Sequence, residues 1–89
     1  MTTHELKTWP AYFRATADGE KTVEVRRNDR PFARGDVLVL LEYEPSQRSY
    51  SGRRLTRMVT EVHDLAPIGL PGFVAMAVRE VPGRWMARP

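Results

Sequence analysis

The sequence contains no cysteine, so it can form neither a disulfide framework nor a thiolate metal site. Its two histidines, His4 and His63, lie far apart in the chain and lack the spacing of zinc ligands. Apolar runs are short, and none approaches the roughly 20 residues needed to span a bilayer. The first residues, MTTHELK, contain no apolar signal segment. We therefore expect a cytoplasmic protein with no metal, no cofactor and no membrane partner.

Lysine is also scarce, because the sequence has 12 arginines against 2 lysines, with a net charge of +3 and a pI of about 9.8. Arginine suits the recognition of phosphate and of base edges, and a basic excess is compatible with a phosphate-bearing partner. Genomic base composition can produce the same bias, so charge alone supports nucleic-acid binding weakly. The glycine-rich motifs G-x-G-x-x-G and the P-loop are absent, which excludes the commonest nucleotide-binding loops.

Short apolar runs separated by tight turns predict five strands and one helix. A chain of 89 residues is expected to form one domain, here residues 1–81, followed by a basic tail at 82–89. The predicted helix covers residues 11–17, with Pro10 in its first turn and Gly19 beyond its end. The predicted strands are residues 4–9, 22–26, 37–43, 53–63 and 73–81. We therefore expect a mainly β, α+β fold: a small five- to six-stranded β-barrel with one short helix after the first strand.

Four details of this prediction can be checked against the structure. In the helix, Tyr12, Phe13 and Thr16 are expected on or near one face. The run VLVLLEY at residues 37–43 is typical of a central strand buried on both faces. In the strand at 53–63, the face preferred for the core carries Thr56, Met58, Thr60 and Val62. Residues 44–52 are expected to form a polar hairpin loop before that strand.

The run GEKTVEVR at residues 19–26 carries an unusual set of charges for a strand. Glu24 and Arg26 are two residues apart and share a face, while Val23 and Val25 point the other way. Lys21 has the opposite parity from Glu24, but its long side chain emerges from a turn and can swing across. The pattern fits either a solvated ion pair, worth about 0–1 kcal/mol, or the wall of a polar site. The residue pattern alone favours the ion pair.

Other polar and aromatic residues could contribute to such a site. His4 and Lys7 lie on a strand that could pair beside the charged one, and Asn28 could extend its polar face. Arg30 and Arg53 belong to two arginine clusters that could form a phosphate track. Tyr43 flanks the second cluster and could stack on an exposed base. Each also has an ordinary explanation, such as solvent exposure or cover for the edge of the barrel.

Residues 19–26 match the pattern G-x-K-x-x-E-x-R, and in this they resemble the ASCH domains of the PUA-like superfamily of small β-barrels. Three further motifs occur in the same order as in one branch of these domains: HELK at residues 4–7, RNDRPF at residues 27–32 and GL-x-G-F-V at residues 69–74. That branch, which occurs in bacteria and phages, is domain of unknown function 3850. The resemblance covers residues 4–79. It implies a PUA-like barrel with a polar cleft beside the helix, where Lys21, Glu24 and Arg26 bind RNA or nucleotides.

With this resemblance, the sequence predicts a non-catalytic RNA- or nucleotide-binding module. The predicted ligand-binding residues, drawn from the charged strand, its neighbours and the arginine clusters, are His4, Lys7, Lys21, Glu24, Arg26, Asn28, Arg30, Tyr43 and Arg53. The sequence does not indicate an oligomeric state.

Two alternatives remain open. The first is a small hydrolase acting on a modified nucleoside, with Lys21, Glu24 and Asp64 as its catalytic groups. Some small bacterial ASCH proteins are amidohydrolases of acylated cytidine, but they carry a threonine at the position of Glu24, so this chain departs from them. The second is a protein-interaction module that uses the Trp85-bearing tail and the apolar loop around Ile68 and Leu70. Those apolar residues could instead cap the barrel.

Overall fold

The computed structural model describes residues 1–81, which form one five-stranded sheet and one α-helix. The strands are β1 (Thr3–Thr8), β2 (Val23–Arg27), β3 (Val37–Glu44), β4 (Ser49–Asp64) and β5 (Phe73–Arg79). The helix α1 (Pro10–Ala17) follows β1, and a short 3-10 helix (Ala66–Ile68) precedes β5. The prediction of five strands with a helix after the first is confirmed. The tail at 82–89, with Trp85, lies outside the described residues.

The sheet curls into a half-barrel in the order β1-β3-β4-β5-β2. β1 runs parallel to β3, and the other three pairs of neighbours are antiparallel. β1 and β2 are therefore the two edges, and within residues 1–81 no backbone ladder joins them. None of the helices in that range is long and apolar enough to cross a bilayer. Because no backbone ladder joins β1 to β2 in the described chain, the half-barrel is open between these two strands.

The core fills the concave side of the sheet and is covered by α1. It consists of Leu6, Phe13, Leu38, Leu40, Val59, Val74, Met76 and Val78. In α1, Phe13 and Thr16 are buried, whereas Tyr12 is exposed. The face expected to carry all three is therefore only partly buried, because the side of α1 that carries Tyr12 overlooks the opening between β1 and β2.

β3 is the central strand that its sequence predicts. Residues Val37, Leu38, Val39 and Leu40 are all buried, and the strand lies between β1 and β4. This agrees with the expectation that a continuous apolar run is covered on both faces.

β4 is longer than predicted, since it begins at Ser49 rather than at residue 53. The expected loop at 44–52 is reduced to a tight turn, and Gly52 lies inside the strand with φ +92°. Near this point the β3–β4 register shifts between Leu41 and Tyr43. A glycine in the left-handed region allows such a bulge. The ladder therefore continues through residues 49–52, whose polar sequence is typical of a loop.

The predicted core face of β4 is wrong for most of the strand. Val59 is buried and Leu55 packs against the core, and both belong to the face that was not preferred for the core. A second bulge between Val59 and Glu61 then brings Val62 against the core. A single inserted residue reverses which side chains point inward. A prediction that assigns alternate residues to opposite faces along the whole strand misses this reversal.

Candidate functional site

A cleft of about 510 Å³ occupies the open side of the half-barrel. One wall comes from the end of β1 and the start of α1, and the other from β2 and the residue that leads into it. The lining residues are Lys7, Thr8, Trp9, Tyr12, Lys21, Val23, Glu24, Val25 and Arg26. The structure therefore brings four predicted site residues together: Lys7, Lys21, Glu24 and Arg26.

Glu24 is the buried acid of this cleft. Its side chain points to the interior side of β2, opposite Met76 of β5, and the residue is only 2 % exposed. Val23 and Val25 are 45 % and 56 % exposed on the other side of the strand. The alternative of a solvated ion pair therefore does not hold for Glu24, because the charged face of β2 is the inner one. Burying an unpaired carboxylate costs several kcal/mol, so this position requires cationic partners.

Two cations neutralise Glu24. Lys21 Nζ donates to its Oε2 at 2.5 Å, and Arg26 Nε donates to its Oε1 at 3.0 Å. Lys21 Nζ also donates to the carbonyl oxygen of Val23 at 2.6 Å. An ammonium has three N–H bonds, so one of those of Lys21 stays available to a ligand. Both oxygens of Glu24 are already engaged.

Arg26 joins the two edges of the sheet. Its guanidinium donates through Nη1 to the carbonyl oxygen of Lys7 at 2.8 Å and through Nη2 to Thr8 Oγ1 at 3.1 Å. Side-chain hydrogen bonds thus link β2 to β1 where the described chain has no backbone ladder. Arg26 is therefore a brace across the opening as well as part of the cleft wall.

Two exposed aromatic residues line the cleft and were missed by the sequence-based prediction. Trp9 and Tyr12 are 54 % and 58 % exposed. Trp9 directly precedes α1, whose first residue is Pro10, and Tyr12 lies in the first turn. The available signal was the position of two large aromatic residues around a strand–helix junction. Exposed rings beside cationic groups suit a flat, π-rich ligand.

The backbone of β2 also faces the cleft. Thr22 accepts a hydrogen bond from Val78 through its carbonyl oxygen, and Asn28 donates through its N–H to Gly72, so the even-numbered residues pair with β5. In an antiparallel ladder the intervening residues direct their N–H and C=O groups to the opposite edge. Val23 and Val25 therefore direct their backbone N–H and C=O groups to the open side. The carbonyl oxygen of Val23 already accepts a hydrogen bond from Lys21 Nζ.

Lys7 connects the cleft to a second group of predicted residues. Its Nζ lies 4.2 Å from the centre of the Tyr43 ring, and that ring meets Tyr50 edge-on at 4.9 Å between centroids. Arg53 Nη1 lies 3.8 Å from Glu42 Oε1. Arg53 also lines a separate pocket, together with Tyr50 and other residues. Tyr43 and Arg53 are therefore outside the cleft, but Tyr43 touches one of its lining residues.

His4 has a structural contact away from the cleft. It is buried, its Nε2 lies 2.8 Å from Asp36 Oδ2, and its ring packs on Phe32. Asp36 also accepts hydrogen bonds from the backbone N–H groups of Thr2 and Ala33. Burial raises the pKa of the Asp36 carboxyl, but these hydrogen bonds and the charge of His4 outweigh it, so the pKa lies below its usual value.

The remaining predicted residues also lie outside the cleft. Asn28 is exposed at the end of β2, and Arg30 donates to the carbonyl oxygen of Glu5 at 3.5 Å. Asp64, proposed for a hydrolase, accepts the N–H of Ala66 at the end of β4, and β5 separates it from Arg26. Ile68 and Leu70 are exposed and do not cap the core. Residues 1–81 contain no cluster of three or more His, Cys, Asp or Glu placed to hold a metal.

Fold and site together define a small, mainly β domain with a cationic, aromatic cleft between two sheet edges. The chain belongs to the family described as Domain of unknown function (DUF3850), whose model matches residues 3–77. The predicted resemblance to this branch is confirmed.

A curated relative comes from Escherichia phage P2, where it is described as "Uncharacterized 12.9 kDa protein in GpA 3'region". The two sequences are 38 % identical over 63 residues, which cover 71 % of this chain and 56 % of the phage protein. The chain therefore spans little more than half the length of that relative.

Proposed function

We propose that the chain is a non-catalytic RNA-binding module that holds one unpaired nucleotide in the cleft. The observation that carries this proposal is the pairing of two exposed aromatic rings, Trp9 and Tyr12, with an excess of positive charge. Three cationic side chains and one carboxylate line the cleft. Stacking on aromatic rings and cationic contacts to phosphate are the two main contributions to single-strand binding. The resemblance to ASCH and PUA-like domains supports the same conclusion.

Each wall of the cleft has a separate role in this proposal. Trp9 or Tyr12 stacks on the base, and the N–H and C=O groups of Val25 hydrogen-bond its edge. Lys7 and the remaining N–H bond of Lys21 contact phosphate. Glu24 does not read a base, in contrast to the role that its sequence position suggested, because it is buried behind Lys21 and Arg26, from which its oxygens accept hydrogen bonds.

Binding of labelled short single-stranded RNA, measured by fluorescence anisotropy at several salt concentrations, tests the proposal. We expect affinity to fall with salt, and Lys7→Ala to weaken binding and to reduce the slope of log K against log salt by about 0.7. Lys7 is suitable because its ammonium contacts Tyr43 and is not part of the buried pairs around Glu24. Arg34→Ala is the matched control, because it removes one positive charge from an exposed loop residue outside the cleft.

A hairpin RNA and a duplex DNA complete the series. The proposal predicts weaker binding of the duplex, whose bases are not free to stack in the cleft. Equal losses for Lys7→Ala and Arg34→Ala would show that binding follows net charge and not the cleft.

A second candidate function is hydrolysis of a modified nucleoside, which the contact between Lys21 and Glu24 in the same cleft favours. Asp64 takes no part in it, since it lies outside the cleft. Turnover of an acylated nucleoside that disappears in Lys21→Met would establish this function. An unchanged substrate after prolonged incubation would exclude it for that substrate.

A further inference from the structure

We infer that the protein holds two successive nucleotides, with the second base stacked on Tyr50 outside the cleft. This inference rests on the proposed function, and it assigns a second site about which the sequence comparisons say nothing. A pocket of about 270 Å³ lies on the face of the sheet formed by β1, β3 and β4. It is lined by Glu5, Leu41, Tyr50, Gly52, Arg53 and Arg54.

The composition of this second pocket suits a stacked base with its phosphate. Tyr50 is 53 % exposed, so much of its ring is open to solvent beside the apolar side chain of Leu41. Arg54 provides the guanidinium group for the phosphate, since that of Arg53 lies beside Glu42 and over the Phe13 ring. Within residues 1–81, Arg54 is held only by an exposed ion pair between its Nη2 and Glu5 Oε2 at 3.1 Å. Exposed pairs of this kind contribute little and are screened by salt, so Arg54 can exchange Glu5 for a phosphate.

A chain of direct contacts connects the two pockets. Lys7 lines the cleft, its Nζ lies 4.2 Å from the centre of the Tyr43 ring, and Tyr43 contacts Tyr50 at 4.9 Å. Lys7 therefore lies between the first base at Trp9 and the second base at Tyr50. That is the place where the phosphate between two nucleotides must pass. The β3–β4 bulge at Gly52 positions Tyr50 on this path, because there Tyr43 pairs with Tyr50.

Binding of a mononucleotide and of the corresponding dinucleotide tests the inference. We expect the wild-type protein to bind the dinucleotide at least about fivefold more tightly, as one additional stacked base provides. Tyr50→Leu should remove this gain and leave mononucleotide binding unchanged, whereas Tyr50→Phe should keep it. Ile68→Ala, an exposed apolar residue in neither pocket, is the matched control.

Arg54→Gln provides a second measurement that does not depend on the folding of a Tyr50 variant. This substitution should weaken binding of the dinucleotide more than binding of the mononucleotide. A wild-type protein that binds both ligands equally, or a gain that persists in Tyr50→Leu and in Arg54→Gln, would overturn the inference while the proposed function stands. If neither ligand nor longer RNA binds, the proposed function itself fails.

Discussion

Glu24 is the residue on which the geometry of the cleft depends. It is a buried carboxylate on an edge strand, and it fixes the positions of Lys21 and Arg26 on either side. Arg26 in turn bonds to β1, so one acid organises both walls. Such an acid contributes through its partners, because the same group without them would strongly favour unfolding.

Replacing Glu24 with Gln should lower the free energy of unfolding by about 1–3 kcal/mol. The amide keeps the shape but leaves Lys21 and Arg26 without a counter-charge. The loss stays moderate because both cations retain about a quarter of their side-chain exposure and can be hydrated. Urea denaturation measures the change.

The matched control for this substitution is Glu20→Gln, which removes the same charge from an exposed position nearby. It should change stability by no more than about 0.5 kcal/mol. Equal effects of the two substitutions would contradict the assignment of Glu24 as the organising acid.

At the residue scale, the sequence predicted the charged side chains of the cleft better than its aromatic ones. The spacing of Lys21, Glu24 and Arg26, with the family resemblance, was sufficient to place them together. Trp9 and Tyr12 were missed because large aromatic residues next to a helix are usually interpreted as core. Their exposure follows from the opening between β1 and β2, and that opening is a property of the whole sheet.

At the scale of elements, Asp36 ties β1 to the start of β3. Its carboxylate accepts hydrogen bonds from the backbone N–H groups of Thr2 and Ala33 and faces His4 Nε2. Because an ionised carboxylate can only accept, Nε2–H of His4 donates in this pair. These bonds hold the first strand, and with it Lys7 and Thr8 at its other end.

Because the pKa of Asp36 is lower in the folded protein than in the unfolded chain, its charge stabilises the fold above the unfolded value of about 3.9. This contribution is lost as the pH falls through the folded pKa. Asp36→Asn should therefore reduce stability by about 1–3 kcal/mol at neutral pH and show a smaller further loss below about pH 4. Thermal unfolding as a function of pH measures both effects.

The matched control is Asp18→Asn, an exposed aspartate at the end of α1. Its pH profile should follow that of the wild type. If Asp36→Asn follows the wild-type profile equally well, Asp36 does not anchor β1.

The elements themselves were largely predictable, but their irregularities were not. The helix and the apolar strand β3 follow from proline, glycine and a continuous apolar run. β4 shows the limit, because its bulge between Val59 and Glu61 changes the face that its side chains present. A bulge is selected by the pairing strand and by core packing, so a strand's own sequence indicates it only weakly.

At the scale of the whole molecule, the functional proposal follows from an incomplete barrel. Four strand pairs are joined by backbone ladders, and across the opening Arg26 supplies side-chain hydrogen bonds instead. The opening exposes the backbone of β2 and two aromatic rings beside cationic groups. A closed barrel of this size would fill its interior with side chains and leave no cleft for a base.

The most direct measurement of the central claim uses the fluorescence of Trp9 as single-stranded RNA is added. The chain has two tryptophans, so Trp85→Phe leaves Trp9 as the sole tryptophan. We predict that RNA quenches Trp9 emission in a saturable titration, because a base stacks on or beside the ring. The midpoint should match the affinity from anisotropy. Trp9 emission that stays unchanged while RNA saturates the protein would contradict the account, because the base would then bind elsewhere.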